Sequence, residues 1–96
     1  MDFSGRVAIV TGGGGGIGGA TALVFARRGA RLFLVDRDEA ALAQAAKGVE
    51  KAGAEVATHV ADVTRSEDVQ GYAAAAVERY GRIDAFFNNA GIEGVV

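Results

Sequence analysis

A cluster of glycines that directly follows an apolar segment constrains this chain more than any other feature. Seven of the eight residues 12–19 are glycine, and the segment before them, 6–11, reads Arg-Val-Ala-Ile-Val-Thr. A continuous apolar, β-branched run of this length is typical of a strand buried on both faces. After the cluster, apolar residues recur at helical spacing up to Arg27, Arg28 and Gly29, which are typical of a helix end. The glycines therefore form the loop between a buried strand and a helix, which argues against a flexible linker.

The alternation of strand and helix continues to the end of the chain. Apolar runs at 31–35 and 83–87 and a loosely alternating segment at 55–61 predict three further strands, and periodic segments that stop at Gly53 and Gly81 predict two further helices. Strands joined by helices through short connections pair in parallel, with right-handed crossovers. We therefore expect an α/β fold with a doubly wound, Rossmann-like parallel sheet, its four strands in the order 3-2-1-4. The fourth strand would be an exposed apolar edge.

The spacing of apolar residues also predicts which face of each helix packs on the sheet. The first helix is expected to bury Ile17, Ala20, Thr21 and Val24. The second helix is expected to bury Leu42, Ala45, Ala46 and Val49. The third helix is expected to bury Val69, Tyr72, Ala73, Ala76, Val77 and Tyr80. Helices with such faces would cover both sides of the sheet.

The composition argues against several classes of function. Ten Lys and Arg against twelve Asp and Glu give a net charge of −2, so neither nucleic acid nor an anionic membrane is an expected partner. The absence of cysteine excludes disulfides, thiolate metal sites and a cysteine nucleophile. No run approaches the roughly 18 apolar residues of a membrane-spanning helix, and residues 1–5 do not resemble a signal peptide. We expect a cytoplasmic protein without a metal site, in which His59 has a structural role.

The glycine loop is suited to binding an anion. Unpaired backbone N–H groups and the positive end of the helix dipole meet at a helix N-terminus, and glycine lets a phosphate approach them closely. The pattern Gly-x-Gly-x-x-Gly fits this loop in two registers, so the pattern alone does not decide which glycines would contact a phosphate. The two registers are Gly13, Gly15 and Gly18, and Gly14, Gly16 and Gly19.

An acidic residue follows the second predicted strand. Asp36 lies about 20 residues after the loop, the offset expected for a carboxylate that binds the ribose hydroxyls of a dinucleotide. Such a carboxylate would repel the 2′-phosphate of NADP, whereas Arg37 beside it would partly offset that repulsion. The sequence therefore favours NAD as the cofactor and leaves NADP as the alternative.

Four motifs in this order resemble the short-chain dehydrogenase/reductase family, and together they cover nearly the whole chain. They are Thr11-Gly12-x-x-x-Gly16-Ile17-Gly18, then Asp36, then Asp62-Val63, then Asn88-Asn89-Ala90-Gly91. The resemblance implies that residues 11–18 bind the cofactor pyrophosphate, with Gly12, Gly16 and Gly18 as the glycines of the motif. Gly15 stands in this loop where many relatives have a serine, or a basic residue in NADP users, so a side-chain contact to phosphate is absent.

The later motifs imply contacts to the nucleoside parts of the cofactor. By resemblance, the carboxylate of Asp62 lies against the adenine amino group and the backbone of Val63 lies beside the ring. The turn at Asn89, Ala90 and Gly91 would hold the fourth strand and contact the cofactor ribose. Residues 1–96 would then form one dinucleotide-binding domain that is incomplete at its C-terminus.

Members of the family transfer a hydride between a nicotinamide and an alcohol or carbonyl compound, with a serine and a Tyr-x-x-x-Lys helix in the active site. Neither Tyr72 nor Tyr80 is followed by lysine at that spacing, so no catalytic residue is assigned. We expect the chain to be the cofactor-binding half of a longer oxidoreductase and to be inactive alone. The resemblance also implies a homo-oligomer at full length.

The same residues bear on three other interpretations. A phosphate-binding ATPase loop needs Gly-Lys-Ser or Gly-Lys-Thr after its glycines, whereas this loop continues with Gly18-Gly19-Ala20. A methyltransferase that uses S-adenosylmethionine would have an acidic residue where Thr11 stands, and it gives no role to the Asn-Asn-Ala-Gly turn. A stand-alone NAD-binding module, or an inactive remnant of an enzyme, fits the same residues as the oxidoreductase does.

Overall fold

A four-stranded parallel sheet forms the centre of the computed structural model, which describes residues 3–12, 14, 16–62 and 66–88. The elements are β1 (Val7–Thr11), α1 (Gly16–Arg27), β2 (Arg31–Asp36), α2 (Glu39–Lys51), β3 (Val56–Val60), α3 (Ser66–Tyr80) and β4 (Ala85–Asn88). The strands lie in the order β3-β2-β1-β4, and each neighbouring pair is parallel. The predicted fold class and strand order are confirmed.

Two hydrophobic clusters, one on each face of the sheet, hold the helices in place. Alternate strand residues point to opposite faces, so Val10 and Leu34 pack under α1 and α2, whereas Ile9 and Phe33 pack under α3. All five residues of β1 are buried, as expected of a central strand covered on both sides. Within the described residues, no helix is long and apolar enough to cross a lipid bilayer.

The face that α1 buries differs from the predicted one. Val24 is 47% exposed and Ala20 is also exposed, whereas Gly18, Ala22 and Ala26 are buried against the sheet. These three residues are smaller than valine, so they let the helix backbone lie close to β1 and β2. The prediction was wrong because it followed the larger apolar side chains. The side chain of Ile17 lies outside the described residues.

The faces of α2 and α3 agree better with their periodicity. Leu42 and Val49 of α2 are fully buried, and so are Tyr72 and Ala76 of α3. Val77 is the exception in α3, because 47% of it is exposed. The side chain of the predicted Val69 lies outside the described residues.

The C-terminal end of α3 is tied to the sheet by the half-buried Tyr80. Its hydroxyl donates to the carbonyl of Leu32 at 3.2 Å. Burial raises the pKa of the Tyr80 phenol, although the hydrogen bond and positive charge of Arg79 act in the opposite direction. The helical spacing therefore predicts that Tyr80 packs on the sheet, but it does not reveal the hydrogen bond from its hydroxyl to Leu32.

The last strand begins two residues later than the predicted run, because Asp84 contacts β1 through its side chain before strand pairing begins. One carboxylate oxygen of Asp84 accepts from the Val7 N–H at 2.8 Å, and the Asp84 N–H donates to the Val7 carbonyl. The other oxygen lies 2.6 Å from Nη2 of Arg82. Pairing of β4 with β1 then starts at Ala85, opposite Ala8.

The two phenylalanines of β4 lie in different environments. Phe86 is 43% exposed, while the ring of Phe87 packs 4.7 Å from that of Phe25 in α1. Phe25 in turn contacts Phe3 at 4.8 Å between ring centroids. Only Phe86 therefore fits the expectation of an exposed apolar edge, and Phe87 is part of the packing that joins β4 to α1.

Acid should weaken the attachment of β4. The hydrogen bond from Arg82 and the backbone N–H of Val7 hold the pKa of Asp84 below its usual value. A carboxylate with a lowered folded-state pKa stabilises the fold above its unfolded-state pKa, and this contribution is lost as the pH falls through the folded-state value. The melting temperature of Asp84→Asn should lie below that of the wild type at neutral pH, and the difference should shrink below about pH 4.

Thermal unfolding followed by circular dichroism at several pH values measures this difference. Glu50→Gln is the matched control, because Glu50 is an exposed carboxylate on α2. Its difference from the wild type should stay small throughout the range. A difference for Asp84→Asn that does not change with pH would contradict the role given to the charge of Asp84.

Candidate functional site

The carboxyl ends of three strands bring several predicted site residues to one edge of the sheet. Thr11, the last residue of β1, pairs with Val35 of β2, and Asp36 pairs with Val60 of β3. Gly12 and Asp62 follow the ends of β1 and β3. Because ligands of open parallel sheets bind outside the carboxyl ends of the strands, this edge is the candidate site.

The chain leaves β1 through a buried threonine and a glycine. Thr11 is fully buried, and its Oγ1 donates to the carbonyl of Phe87 at 3.2 Å, so its side chain lies behind the loop rather than on its surface. Gly12 has a φ of 68°, in the left-handed region that favours glycine. The first glycine of the predicted motif is therefore required by the turn out of the strand.

The N-terminus of α1 lies beyond this turn and carries the other described glycines of the predicted motif. Gly16 is the first residue of the helix, and a methyl group added there would meet no atom within 4 Å. Gly18 is buried against the sheet. The first turn of α1 contains no acidic residue, so its N–H groups and the positive end of its dipole are suited to an anion.

The carboxylate of Asp36 lies between the glycine loop and α2. Its Oδ2 accepts from the Gly14 N–H at 3.1 Å, and its Oδ1 accepts from the Asp38 N–H at 3.1 Å. Asp38 is the N-cap of α2, and its own side chain accepts from the Ala41 N–H at 3.1 Å. Asp36 is thus half-buried and accepts hydrogen bonds from two backbone N–H groups. It lies at the position where the sequence predicts a ribose-binding carboxylate.

Gly14 makes a close contact that the sequence analysis did not single out. A methyl group at Gly14 would lie 2.7 Å from Cβ of Ala41 and 3.0 Å from Oδ2 of Asp36. Real Cβ atoms do not approach neighbours this closely, so only glycine fits without a shift of the loop or of α2. The pattern Gly-x-Gly-x-x-Gly includes Gly14 in one of its two registers, but it does not reveal a contact with a residue 27 positions later.

Two further predicted residues lie near this edge. Arg37 is exposed in the bend between β2 and α2. Asp62 is half-buried and follows Ala61, whose N–H donates to the carbonyl of Asp36 at 3.1 Å. This hydrogen bond places the start of the segment after β3 directly beside the end of β2.

Several predicted site residues lie outside the described part of the chain. These are Gly15, Val63, Asn89, Ala90 and Gly91. The backbone of Asn88 is described, and it pairs with Thr11 at the carboxyl end of β4. This pairing places the start of the Asn-Asn-Ala-Gly motif at the same edge of the sheet as the glycine loop.

A groove of about 500 Å³ runs between α1 and α2. Gly14 and Gly16 border its mouth, and Leu23 and Gly48 lie farther along the two helices. Because both helices run back from the carboxyl ends of the strands, only the mouth of the groove adjoins the candidate site.

The described residues offer little for other chemistry. No three His, Asp or Glu side chains within that part of the chain are grouped so that they could hold a metal ion. The half-buried His59 has its ring centroid 6.0 Å from that of Phe33, in a packing contact at the edge of the sheet.

Comparison with known proteins gives the family. The model of the short-chain dehydrogenases matches residues 6–96. This chain belongs to the short-chain dehydrogenase family. Levodione reductase of Leifsonia aquatica is 53% identical to this chain in an alignment of 94 residues that covers 96% of this chain and 35% of the relative.

Crystal structures of other family members have the same fold as this chain. The structure of levodione reductase matches 88% of this chain and 33% of its own with a TM-score of 0.85 at 45% identity. That of NAD⁺-bound xylitol dehydrogenase matches 90% of this chain and 33% of its own with a TM-score of 0.86 at 41% identity. The chain spans about a third of the length of the relatives that it matches.

The contact between the glycine loop and α2 can be tested by a double-mutant cycle. We expect Gly14→Ala to lower the free energy of unfolding by about 1–3 kcal/mol, because the new methyl group overlaps Ala41. The loss should be smaller when Ala41 is replaced by glycine, with a coupling energy of about 0.5–3 kcal/mol measured by urea denaturation. Ala43→Gly, on an exposed position of α2, is the control and should be additive with Gly14→Ala. Equal coupling in both cycles would refute the contact.

Proposed function

We infer that this chain belongs to an oxidoreductase that interconverts alcohols and carbonyl compounds, and that residues 1–96 form the NAD-binding portion of that enzyme. The observation that carries the proposal is the placement of the Asp36 carboxylate beside a glycine loop that opens a helix. Bound at this site, the cofactor would supply the hydride acceptor or donor for that interconversion. The residues of this chain bind and orient that cofactor.

The N-terminus of α1 would hold the pyrophosphate. Gly16 presents backbone rather than a side chain at the start of the helix, and the space where its Cβ would lie is open. A phosphate can therefore approach the free N–H groups of the first turn and the positive end of the dipole. In this assignment Gly12 supplies the turn, Gly18 packs the helix on the sheet, and residues 11–18, including Gly15 and Ile17, form the phosphate loop.

The end of β2 would bind the adenosine ribose. Each oxygen of Asp36 accepts one backbone N–H, and a carboxylate oxygen can accept more than one hydrogen bond, so ribose hydroxyls can still donate to it. A 2′-phosphate at the same place would be repelled by this charge, which favours NAD over NADP. The exposed Arg37 is the group that would moderate this preference.

The remaining contacts of the proposal come from the ends of β3 and β4. Asp62 and Val63 would contact the adenine, and Asn89, Ala90 and Gly91 would contact the cofactor ribose. The NAD⁺-bound xylitol dehydrogenase, 41% identical to this chain, supports NAD as the cofactor. The names of levodione reductase and xylitol dehydrogenase support a small alcohol or carbonyl compound as the substrate class. We further propose a cytoplasmic homo-oligomer.

Gly16→Ala tests the phosphate site. The new methyl group meets nothing in the free protein, so the free energy of unfolding should change by less than about 0.5 kcal/mol. NAD should bind about tenfold more weakly or worse, because the methyl group would keep the phosphate from the N–H groups. Isothermal titration calorimetry measures the affinity. Gly71→Ala, on α3 and also without a neighbour within 4 Å, is the control and should leave NAD binding unchanged. Unchanged affinity in Gly16→Ala would argue against this phosphate site.

Asp36→Ala tests the cofactor preference. The loss of the carboxylate removes an acceptor for the ribose hydroxyls and also removes the repulsion of a 2′-phosphate. The ratio of NAD to NADP affinity should therefore fall by about tenfold or more. Glu39→Gln removes a carboxylate from the first turn of α2 and should leave the ratio unchanged. An unaltered ratio in Asp36→Ala would exclude the ribose assignment.

A further inference from the structure

Four residues at the carboxyl end of β2 are connected in a closed series of contacts, here named the Asp36 cluster: Gly14, Asp36, Asp38 and Ala41. The Gly14 N–H donates to Oδ2 of Asp36, and the Asp38 N–H donates to Oδ1 of the same carboxylate. The Asp38 side chain then accepts from the Ala41 N–H. The series closes because Ala41 lies against Gly14 so tightly that a Cβ there would be 2.7 Å away.

The cluster fixes the middle of the glycine loop relative to α2. Glycine is conformationally free, and seven glycines within eight residues would leave this loop with many accessible conformations. Gly14 is restrained by a hydrogen bond to a carboxylate, which is a stronger type than one to a neutral acceptor. It is also restrained by contact with the first turn of α2. A loop that is already ordered loses less conformational entropy when it binds a ligand.

We propose that Asp36 is a positioning residue for the phosphate loop as well as a ribose acceptor. Through the Gly14 N–H, its carboxylate holds the loop in a conformation that can receive a diphosphate. The inference rests on the proposed function, because it concerns the same nucleotide site. It goes further in assigning Asp36 an effect on ligands that have no ribose hydroxyls.

Replacing Asp36 removes both a negative charge and a restraint on the loop, and these two losses should change the affinity for an anionic ligand in opposite directions. Removing a negative charge from the neighbourhood of an anionic ligand should strengthen its binding. Removing the restraint on the loop should weaken it. A ligand without ribose hydroxyls cannot donate to Asp36, so its affinity depends on the charge and on the restraint of the loop but not on the ribose contact. ADP is the adenosine diphosphate half of the cofactor, and 2′,3′-dideoxy-ADP lacks both ribose hydroxyls.

The experiment measures the affinities of ADP and 2′,3′-dideoxy-ADP for the wild type and for Asp36→Ala by calorimetry. If Asp36 positions the loop, the dideoxy compound should bind Asp36→Ala about tenfold more weakly than it binds the wild type, as expected for the loss of one hydrogen bond to a charged acceptor. ADP should lose more, since it also loses the ribose contact. Unchanged or tighter binding of the dideoxy compound overturns the positioning role.

Glu39→Gln is the matched control, because it removes one negative charge three residues away, at an exposed position that is not part of the Asp36 cluster. Its affinity for the dideoxy compound should be unchanged or slightly higher. An equal weakening in Glu39→Gln and Asp36→Ala would overturn the assignment to Asp36.

Hydrogen exchange of the Gly14 amide, measured by NMR without ligand, decides the structural half of the proposal. The exchange should be faster in Asp36→Ala than in the wild type and unchanged in Glu39→Gln, and equal rates in all three would overturn the proposal. If Asp36→Ala does not fold, Asp36→Asn replaces it. The Gly14 and Asp38 N–H groups bind different oxygens of Asp36, and the amide nitrogen that replaces one oxygen cannot accept, so exchange at Gly14 or Asp38 must accelerate. If the wild type binds neither nucleotide, the proposed function is refuted. If the wild type binds both nucleotides and Asp36→Ala binds 2′,3′-dideoxy-ADP with the same affinity as the wild type, only the positioning role is refuted.

Discussion

Burial of β1 on both faces is the constraint on which the other parts of this structure depend. Its five residues are all buried, and a buried backbone must satisfy its N–H and C=O groups within the protein. Pairing with β2 on one side and β4 on the other does this along its length. At the start of β1 the Val7 N–H donates to the carboxylate of Asp84, and at its end the side-chain hydroxyl of Thr11 donates to the carbonyl of Phe87. β1 thereby fixes the positions of both neighbouring strands.

The candidate site follows from this central strand. Because β1 and β2 are parallel and in fixed register, their carboxyl ends place the turn at Gly12 beside Asp36. The loop that follows must then pass close to α2, and it does so at Gly14, where no side chain larger than hydrogen fits. The positive end of the α1 dipole and a carboxylate that contacts backbone N–H groups are thus brought to one edge, which is an arrangement suited to a dinucleotide with a free ribose.

The order of elements could be read from the sequence, because it depends on local patterns. Continuous apolar runs, one loosely alternating segment, helical spacing and the glycines that end each helix predicted the strands, the helices and the strand order that the described residues show. Predictions failed where a tertiary contact decides the outcome. The buried face of α1 depends on how closely small residues such as Ala22 let the helix approach the sheet, and the start of β4 depends on the bond between Asp84 and Val7.

The sequence by itself determined the fold class, the family and the positions of the glycine loop and of Asp36, because each is encoded by residue type at fixed spacing along the chain. Only the tertiary structure decided which loop glycine is held in place and what the Asp36 carboxylate contacts. These contacts join Gly14, Asp36 and Ala41 from three different elements. Their separations depend on how closely α2 packs beside the loop, and no spacing within one element records that distance.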